Sequence, residues 1–202
     1  MTFAKFVIPV MSLSLLAACS GGGSGKKVTI MASGKITVNE QDQKNITLDP
    51  GTTHNEKELI LTESEKSTLT VTTPDGKKTF DVDGAGHYLL NLQTDTLTGG
   101  LVKYGGENNA KTLTLEDVNN MIDSTEQLLL GKNTTDANKT YFLPPFTIKK
   151  VSDEYSSRVV GPYNGIPGSV TSSDGKAAEI YKFFTNKDKR VSLEKLRAEQ
   201  KK

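Results

Sequence analysis

The chain has 202 residues, a net charge of +1, one cysteine, no tryptophan and two histidines. About 200 residues supports one domain, or two small ones, with a self-sufficient core. A single cysteine excludes an internal disulfide framework and any multi-cysteine zinc site, and a near-zero charge argues against nucleic acid as a partner. The amino terminus is the first informative segment. Lys5 precedes an apolar run from Phe6 to Leu16, broken only by Pro9, Ser12 and Ser14, and then come Ala17, Ala18 and the only cysteine, Cys19. That run is too short to cross about 30 Å of hydrocarbon and has the length of the apolar part of a secretory signal peptide.

Leu16-Ala17-Ala18-Cys19 resembles the lipobox of bacterial lipoproteins. The resemblance implies that residues 1–18 are a signal peptide, read by its peptidase at Leu16, Ala17 and Ala18. It also implies that Cys19 carries a diacylglyceryl thioether and often an acylated amine. Two or three acyl chains anchor far more firmly than one. The same residues fit an ordinary signal peptide cut after Ala18, with a free cysteine left over. The sole cysteine standing at the one position the motif requires favours the lipobox. Residues 19–26, Gly/Ser-rich from Ser20 to Gly25, read as a flexible tether. A serine after the cysteine resembles the outer-membrane sorting of enterobacterial lipoproteins. The expected address is the cell envelope, lipid-anchored in the outer membrane of a Gram-negative bacterium, with the membrane as partner through the lipid.

Residues 27–105 read as short strands. Apolar residues alternate with polar ones at Val28 and Ile30, Ile36 and Val38, Ile46 and Leu48, Leu59 and Leu61, Leu69 and Val71, and Phe80 and Val82. Tyr88, Leu90, Leu92 and Leu101 continue the pattern. Period two with one apolar face predicts half-buried strands in antiparallel sheets, and seven or eight of them predict a β-sandwich. Around Pro74-Asp75-Gly76, Leu69 and Val71 must share a face with Phe80 and Val82, which demands an even loop. Because proline has no N–H to give to a ladder, the expected loop is four residues, 73–76, with Gly76 at positive φ. Asp83-Gly84-Ala85-Gly86-His87-Tyr88-Leu89-Leu90 resembles the late-strand entry of immunoglobulin-like and prealbumin-like sandwiches, without the cysteine pair of antibody domains. That resemblance implies a tyrosine hydroxyl bonded back to the preceding corner.

Residues 106–202 read as a smaller α+β region. Thr114 is the expected N-cap of a helix over about 114–130, with Asp117 at N3 and Leu113 stapled onto Val118. Its apolar stripe is Leu115, Val118, Met121, Ile122, Thr125, Leu128 and Leu129, and Gly131 ends it. Residues 131–140 read as loop. Residues 141–151 are apolar but broken by Pro144 and Pro145, which predicts an extended edge segment. Residues 152–176 read as irregular, Ile180, Tyr181, Phe183 and Phe184 pack down again, and a last helix is expected from Ser192, with Val191 stapled onto Leu196. The stretch from 177 onward is basic, which fits either an anionic surface or neutralisation of the acidic helix within the molecule.

Candidate chemistry is sparse. Asp81-Val82-Asp83-Gly84 has the start of a calcium loop but lacks its later ligands, and reads as a turn. His87, opposite Tyr88 in alternation, and His54, in a Gly-Thr-Thr-His-Asn-Glu loop, both read as solvated. The three Asn-x-Thr sequons, at Asn45, Asn133 and Asn138, read as chance products of a threonine-rich chain. No nucleophile elbow, zincin helix or phosphate loop occurs, so no catalytic residue, metal ligand or cofactor is assigned. Gly161 to Gly168 stands out: Pro162, Tyr163, Ile166 and Pro167 form a candidate contact loop, against the alternative of a packed connector. The expected role is a binding or structural module of the envelope, with another envelope protein as a possible partner. The alternatives are a small-ligand carrier with an apolar pocket lined by Tyr141, Phe146 or Tyr181, and an enzyme marked by acidic or histidine side chains converging in a cleft.

Overall fold

Alternating apolar patterning puts half of the described residues into strands, and their pairing decides where the surfaces lie. A computed structural model describes residues 25–61, 66–102, 114–166 and 178–200. The first six strands are β1 (Lys26–Val38), β2 (Asn45–Leu61), β3 (Ser67–Thr73), β4 (Gly76–Val82), β5 (Gly86–Leu92) and β6 (Leu97–Leu101). After helix α1 (Leu115–Leu129) come β7 (Thr140–Leu143), β8 (Thr147–Ser152), β9 (Arg158–Val160) and β10 (Ile180–Thr185), and helix α2 (Asn186–Gln200) follows. One sheet has the order β4-β3-β2-β1-β5-β8 and the other β7-β6-β10-β9. The protein is mainly β and sandwich-like, with a small α+β portion near its carboxyl end. Most neighbours are antiparallel, while β1–β5, β2–β3 and β9–β10 run parallel.

The strand count differs from the alternation because strands fuse. Val28 to Val38 is one strand, bent at a bulge between Ser33 and Gly34. There a glycine is required: φ is +120°, and a Cβ would lie 2.1 Å from the Asp49 carbonyl oxygen. Its partner β2 is likewise one long strand, so Ile46–Leu48 and Leu59–Leu61 belong together and His54 lies in strand instead of loop. The tether is shorter than expected, since Lys26 already pairs with Leu61 and Gly86. The β3–β4 register is the even one that parity requires, with Leu69 opposite Phe80. Its ladder extends one pair further, to Thr73 opposite Gly76, and leaves a two-residue loop of Pro74 and Asp75. Proline fits that place because the first loop residue owes no ladder N–H, and Gly76 has φ +129°.

Two cores explain the burial within the sheets. The first lies on one face of the six-stranded sheet and includes Val28, Ile30, Ile46, Leu59, Leu69, Val82, Tyr88 and Leu90, with no contribution from the second sheet. The sheet therefore curls over its own apolar face. Phe146, just before β8, packs on that core, and the Lys78 ammonium of β4 lies 3.9 Å from its ring centroid, so the two edges meet. The second core joins the sheets: Met31, Leu89 and Val151 face Leu97, Tyr141, Leu143, Tyr181 and Phe183. Hence β5 is buried at every position from Gly86 to Leu92, as a parallel-paired central strand covered on both faces should be. The Tyr88 hydroxyl donates to the carbonyls of Asp83 and of Gly84, the latter at 3.0 Å.

A boundary at residues 105/106 does not separate the two sheets. β6 pairs with β7 and β10, and β8 completes the first sheet beside β5. Residues 141–151 form two edge strands in different sheets, turned at Pro144–Phe146. In α1, Thr114 and Asp117 form a reciprocal capping box. Gly131, at φ +69°, closes a Schellman end, with Lys132 N–H bonded to the Gln127 carbonyl and Gly131 N–H to that of Leu128. Leu113 lies outside the described residues. The last helix starts at Asn186, six residues ahead of the expected Ser192. Thr185 caps it, its hydroxyl accepting from Asp188 N–H at 3.1 Å. Ile122 and Leu129 of α1 pack on Leu193, and Arg197 pairs with Glu126. Part of the basic end thus neutralises the acidic helix, while Leu115 and Met121 stay exposed.

Candidate functional site

The contact loop follows β9, and its described part ends at Ile166; Pro167 lies outside the described residues. Both sheets hold it. From the second sheet, Lys182 of β10 sends its ammonium to the backbone carbonyls of Gly161, Pro162 (3.2 Å) and Asn164 (2.6 Å). Burial lowers the Lys182 pKa. From the first sheet, His54 Nε2 lies 2.6 Å from Glu56 Oε1, and its ring meets Tyr163 edge-on at 4.9 Å between centroids. His54 is thus half-buried and bonded, contrary to the solvated reading. Gly161 packs against the Glu56 carboxylate of β2, so that a Cβ there would have to displace it. Pro162 is partly buried, yet Tyr163 is 66% and Ile166 42% exposed. The loop is therefore fixed at its backbone while presenting two apolar side chains. Beside it runs a groove of 500 Å³ lined by Lys27, Glu56, Glu58, Arg158, Val160 and Asn164.

Under the groove lies a buried polar network that alternation missed. His87 is fully buried, because the outer face of β5 is covered by the second sheet. Its Nδ1 lies 3.0 Å from the Ser157 carbonyl, which places the proton there, and Nε2 accepts from the Thr29 hydroxyl at 2.8 Å. Lys27 donates to the same Ser157 carbonyl at 2.7 Å. Burial, and secondarily the Lys27 charge, push the imidazole pKa down to about 3. His87 is therefore a neutral structural bridge between β1, β5 and the segment before β9.

A second concavity, of 370 Å³, opens among β7, β8 and β10 and is lined by Asp136, Lys139, Tyr141, Lys150, Asp153 and Glu179, among others. A bulge shapes its rim. His87 opposes Ser152 and Tyr88 opposes Lys150, so Val151 has no partner across the ladder, and bulges re-aim neighbouring side chains. At its floor, Glu179 pairs with Lys139 and accepts from Ser152 Oγ at 2.8 Å and Tyr181 OH at 2.7 Å. Burial pushes the Glu179 carboxyl up, but bonds from Lys139, Tyr181 and Ser152 outweigh it and hold the pKa below its ordinary value. Burial pushes the Tyr141 phenol up to about 12 and raises Tyr181 as well. Tyr141 donates to the Val151 carbonyl at 2.8 Å.

The expected apolar pocket is thus a charged cleft. It contains Tyr141 and Tyr181, while Phe146 packs elsewhere. Four carboxylates do line it (Asp136, Asp153, Glu154 and Glu179), and three of them pair with lysines: Lys149–Asp136, Lys150–Asp153 and Lys139–Glu179. With the carboxyl lowered and the phenols raised, the floor carries a fixed negative charge near neutrality beside the Lys139 ammonium. Asp81, of the expected turn, pairs with Lys66 and accepts from Thr68. Among the described residues no group of three or more His, Cys, Asp or Glu side chains is placed to hold a metal ion, and no helix is long and apolar enough to cross a membrane. Leu16, Ala17, Ala18 and Cys19 lie outside the described residues. Comparison of the chain with family models, with curated proteins and with solved structures finds no match.

Proposed function

We propose that this protein is a lipid-anchored lipoprotein of the cell envelope, held in the outer membrane of a Gram-negative bacterium through acyl chains on Cys19, and that its folded body is a binding module. The observation that supports a binding role best is the contact loop. A lysine is buried to fix three of its carbonyls, while Tyr163 and Ile166 face solvent. Exposed aromatic side chains on a rigid backbone lose little entropy on contact, which is how interface anchors act. Its partner is another envelope protein.

Two measurements test this. In cells fed labelled fatty acid, Cys19→Ala abolishes labelling and moves the protein to the soluble fraction; label or membrane attachment that persists overturns the anchor. Tyr163→Ala combined with Ile166→Ser removes the crosslinked envelope partner while amide exchange in β1 and β5 stays as slow as in the parent protein. If the crosslinks survive, the loop is only a connector. A second reading, a small-ligand carrier, is supported by the cleft over Glu179, where fixed charges of both signs surround a cavity of 370 Å³.

A further inference from the structure

The cleft over Glu179 and the start of the described chain share one end of the molecule. The Gly25 carbonyl accepts from Gly86 N–H at 3.2 Å. On the other side of β5, a Cβ on Gly86 would lie 2.5 Å from the Ser152 carbonyl oxygen and 3.4 Å from Asp153 Cα. Ser152 in turn holds Glu179. Two strand spacings, roughly 10 Å, therefore separate Gly25 from the rim of the cleft. Six residues lead back from Gly25 to Cys19, a reach of at most about 20 Å. On the anchored reading, that tether is short enough to let the rim touch lipid headgroups.

The charges around the rim are of both signs, and their pairings differ in strength. Lys139 is tied to Glu179, whose side chain is 19% exposed. Lys149 and Lys150 pair instead with Asp136 and Asp153, whose side chains are 71% and 92% exposed. Pairs that exposed hold weakly against water, so a ligand carrying an anion and a cation exchanges them readily. Glu154 adds a further exposed carboxylate at the same rim.

We propose that this cleft receives the headgroup of a zwitterionic phospholipid, with its phosphate on Lys149 and Lys150 and its ammonium on Asp153 and Glu154. The proposal rests on the lipid-anchor reading and deepens it: the anchor sets the distance, and the cleft sets which headgroup the body rests on. The chemistry it needs, a phosphate and an ammonium a few bonds apart, also occurs in the free headgroup, glycerophosphoethanolamine.

The test uses the full acylated chain. In non-ionic detergent, calorimetric titration with glycerophosphoethanolamine gives saturable binding, at least fivefold tighter than with glycerophosphate. Lys149→Gln with Lys150→Gln weakens it at least tenfold, and Asp153→Asn with Glu154→Gln brings it down to the glycerophosphate level. These side chains are partly or wholly exposed, and unchanged thermal unfolding of each variant verifies the fold. Equal binding of glycerophosphate overturns the ammonium half, and no binding of either overturns the site. In nanodiscs of phosphatidylethanolamine, amide exchange at residues 152–154 slows at least threefold relative to nanodiscs of phosphatidylglycerol. Equal exchange in the two, with the free headgroup still binding in detergent, overturns the lipid as the source. Intact mass reads acylation separately. An acylated protein that binds no headgroup defeats this proposal alone, whereas an unmodified Cys19 defeats the anchor and with it the lipid source.

Discussion

His87 shows what one residue carries that its local pattern conceals. Alternation places it correctly on the face opposite Tyr88, but whether that face meets water depends on a second sheet whose strands lie far away in sequence. Buried and neutral, it couples folding to pH. Unfolded, the imidazole takes a proton below about pH 6.5; folded, it resists until about pH 3. The unfolded state binds the extra proton throughout that window. The contribution is thus complete above pH 6.5 and is lost as pH falls, at up to about 1.4 kcal/mol per pH unit. Urea unfolding at pH 7, 5.5 and 4.5 will show this slope superimposed on that of the carboxylates. His87→Gln will be less stable at pH 7, because its amide cannot hold both Thr29 and Ser157 as the ring does, but its slope will be flatter by close to the full amount. An equal slope in both proteins excludes His87 as its source. Cys19 is the opposite case: the role proposed for it rests on its neighbours in sequence alone.

At the scale of elements, signals contained within one turn of chain were legible, and signals that need a partner were not. The Thr114–Asp117 box and Gly131 mark both ends of α1 because capping is local. Thr185-Asn186-Lys187-Asp188 has the same S/T-x-x-D form and marks the start of α2, but its signal is masked because β10 runs directly into the helix with no loop between them. The contact loop stood out by composition, whereas its support did not: Lys182 lies in an apolar run, and only folding brings it under residues 161–164. Lys182→Met keeps the aliphatic stem and removes the donors. It will cost about 1.5–3 kcal/mol, the range for hydrogen bonds to a charged group, and will speed amide exchange across residues 161–166 while leaving β1 and β5 protected. Unchanged loop exchange would show that Pro162 and the His54–Tyr163 contact suffice to hold it.

At the scale of the molecule, the fold class follows from alternation, but the division of the chain does not. Composition changes near residue 105, where strands give way to a polar joint and a helix, and that change suggests two units. Pairing crosses it: β6 reaches β7 and β10, β8 closes the edge of the first sheet, and the intersheet core takes Met31 and Leu89 from one side and Tyr181 and Phe183 from the other. A fragment of residues 25–105 would keep β1–β5 and most of the inner core. It would lose β8 along the β5 edge and would expose the outer faces of β1 and β5, with Met31, Leu89, His87 and Asn91 on them. Asn91 shows the cost, since its side-chain amide donates to the Leu143 carbonyl at 2.9 Å and to that of Pro144 at 3.2 Å. A central strand buried on both faces cannot be exposed on one of them without releasing large apolar area, worth about 25 cal/mol for each Å². The fragment will therefore aggregate or give a collapsed proton spectrum, while residues 25–202 unfold in one cooperative transition by both circular dichroism and tyrosine fluorescence. A well-dispersed, cooperatively unfolding fragment would instead make the curled sheet an autonomous unit. The cleft and the contact loop would then be attachments to it and not products of the shared core.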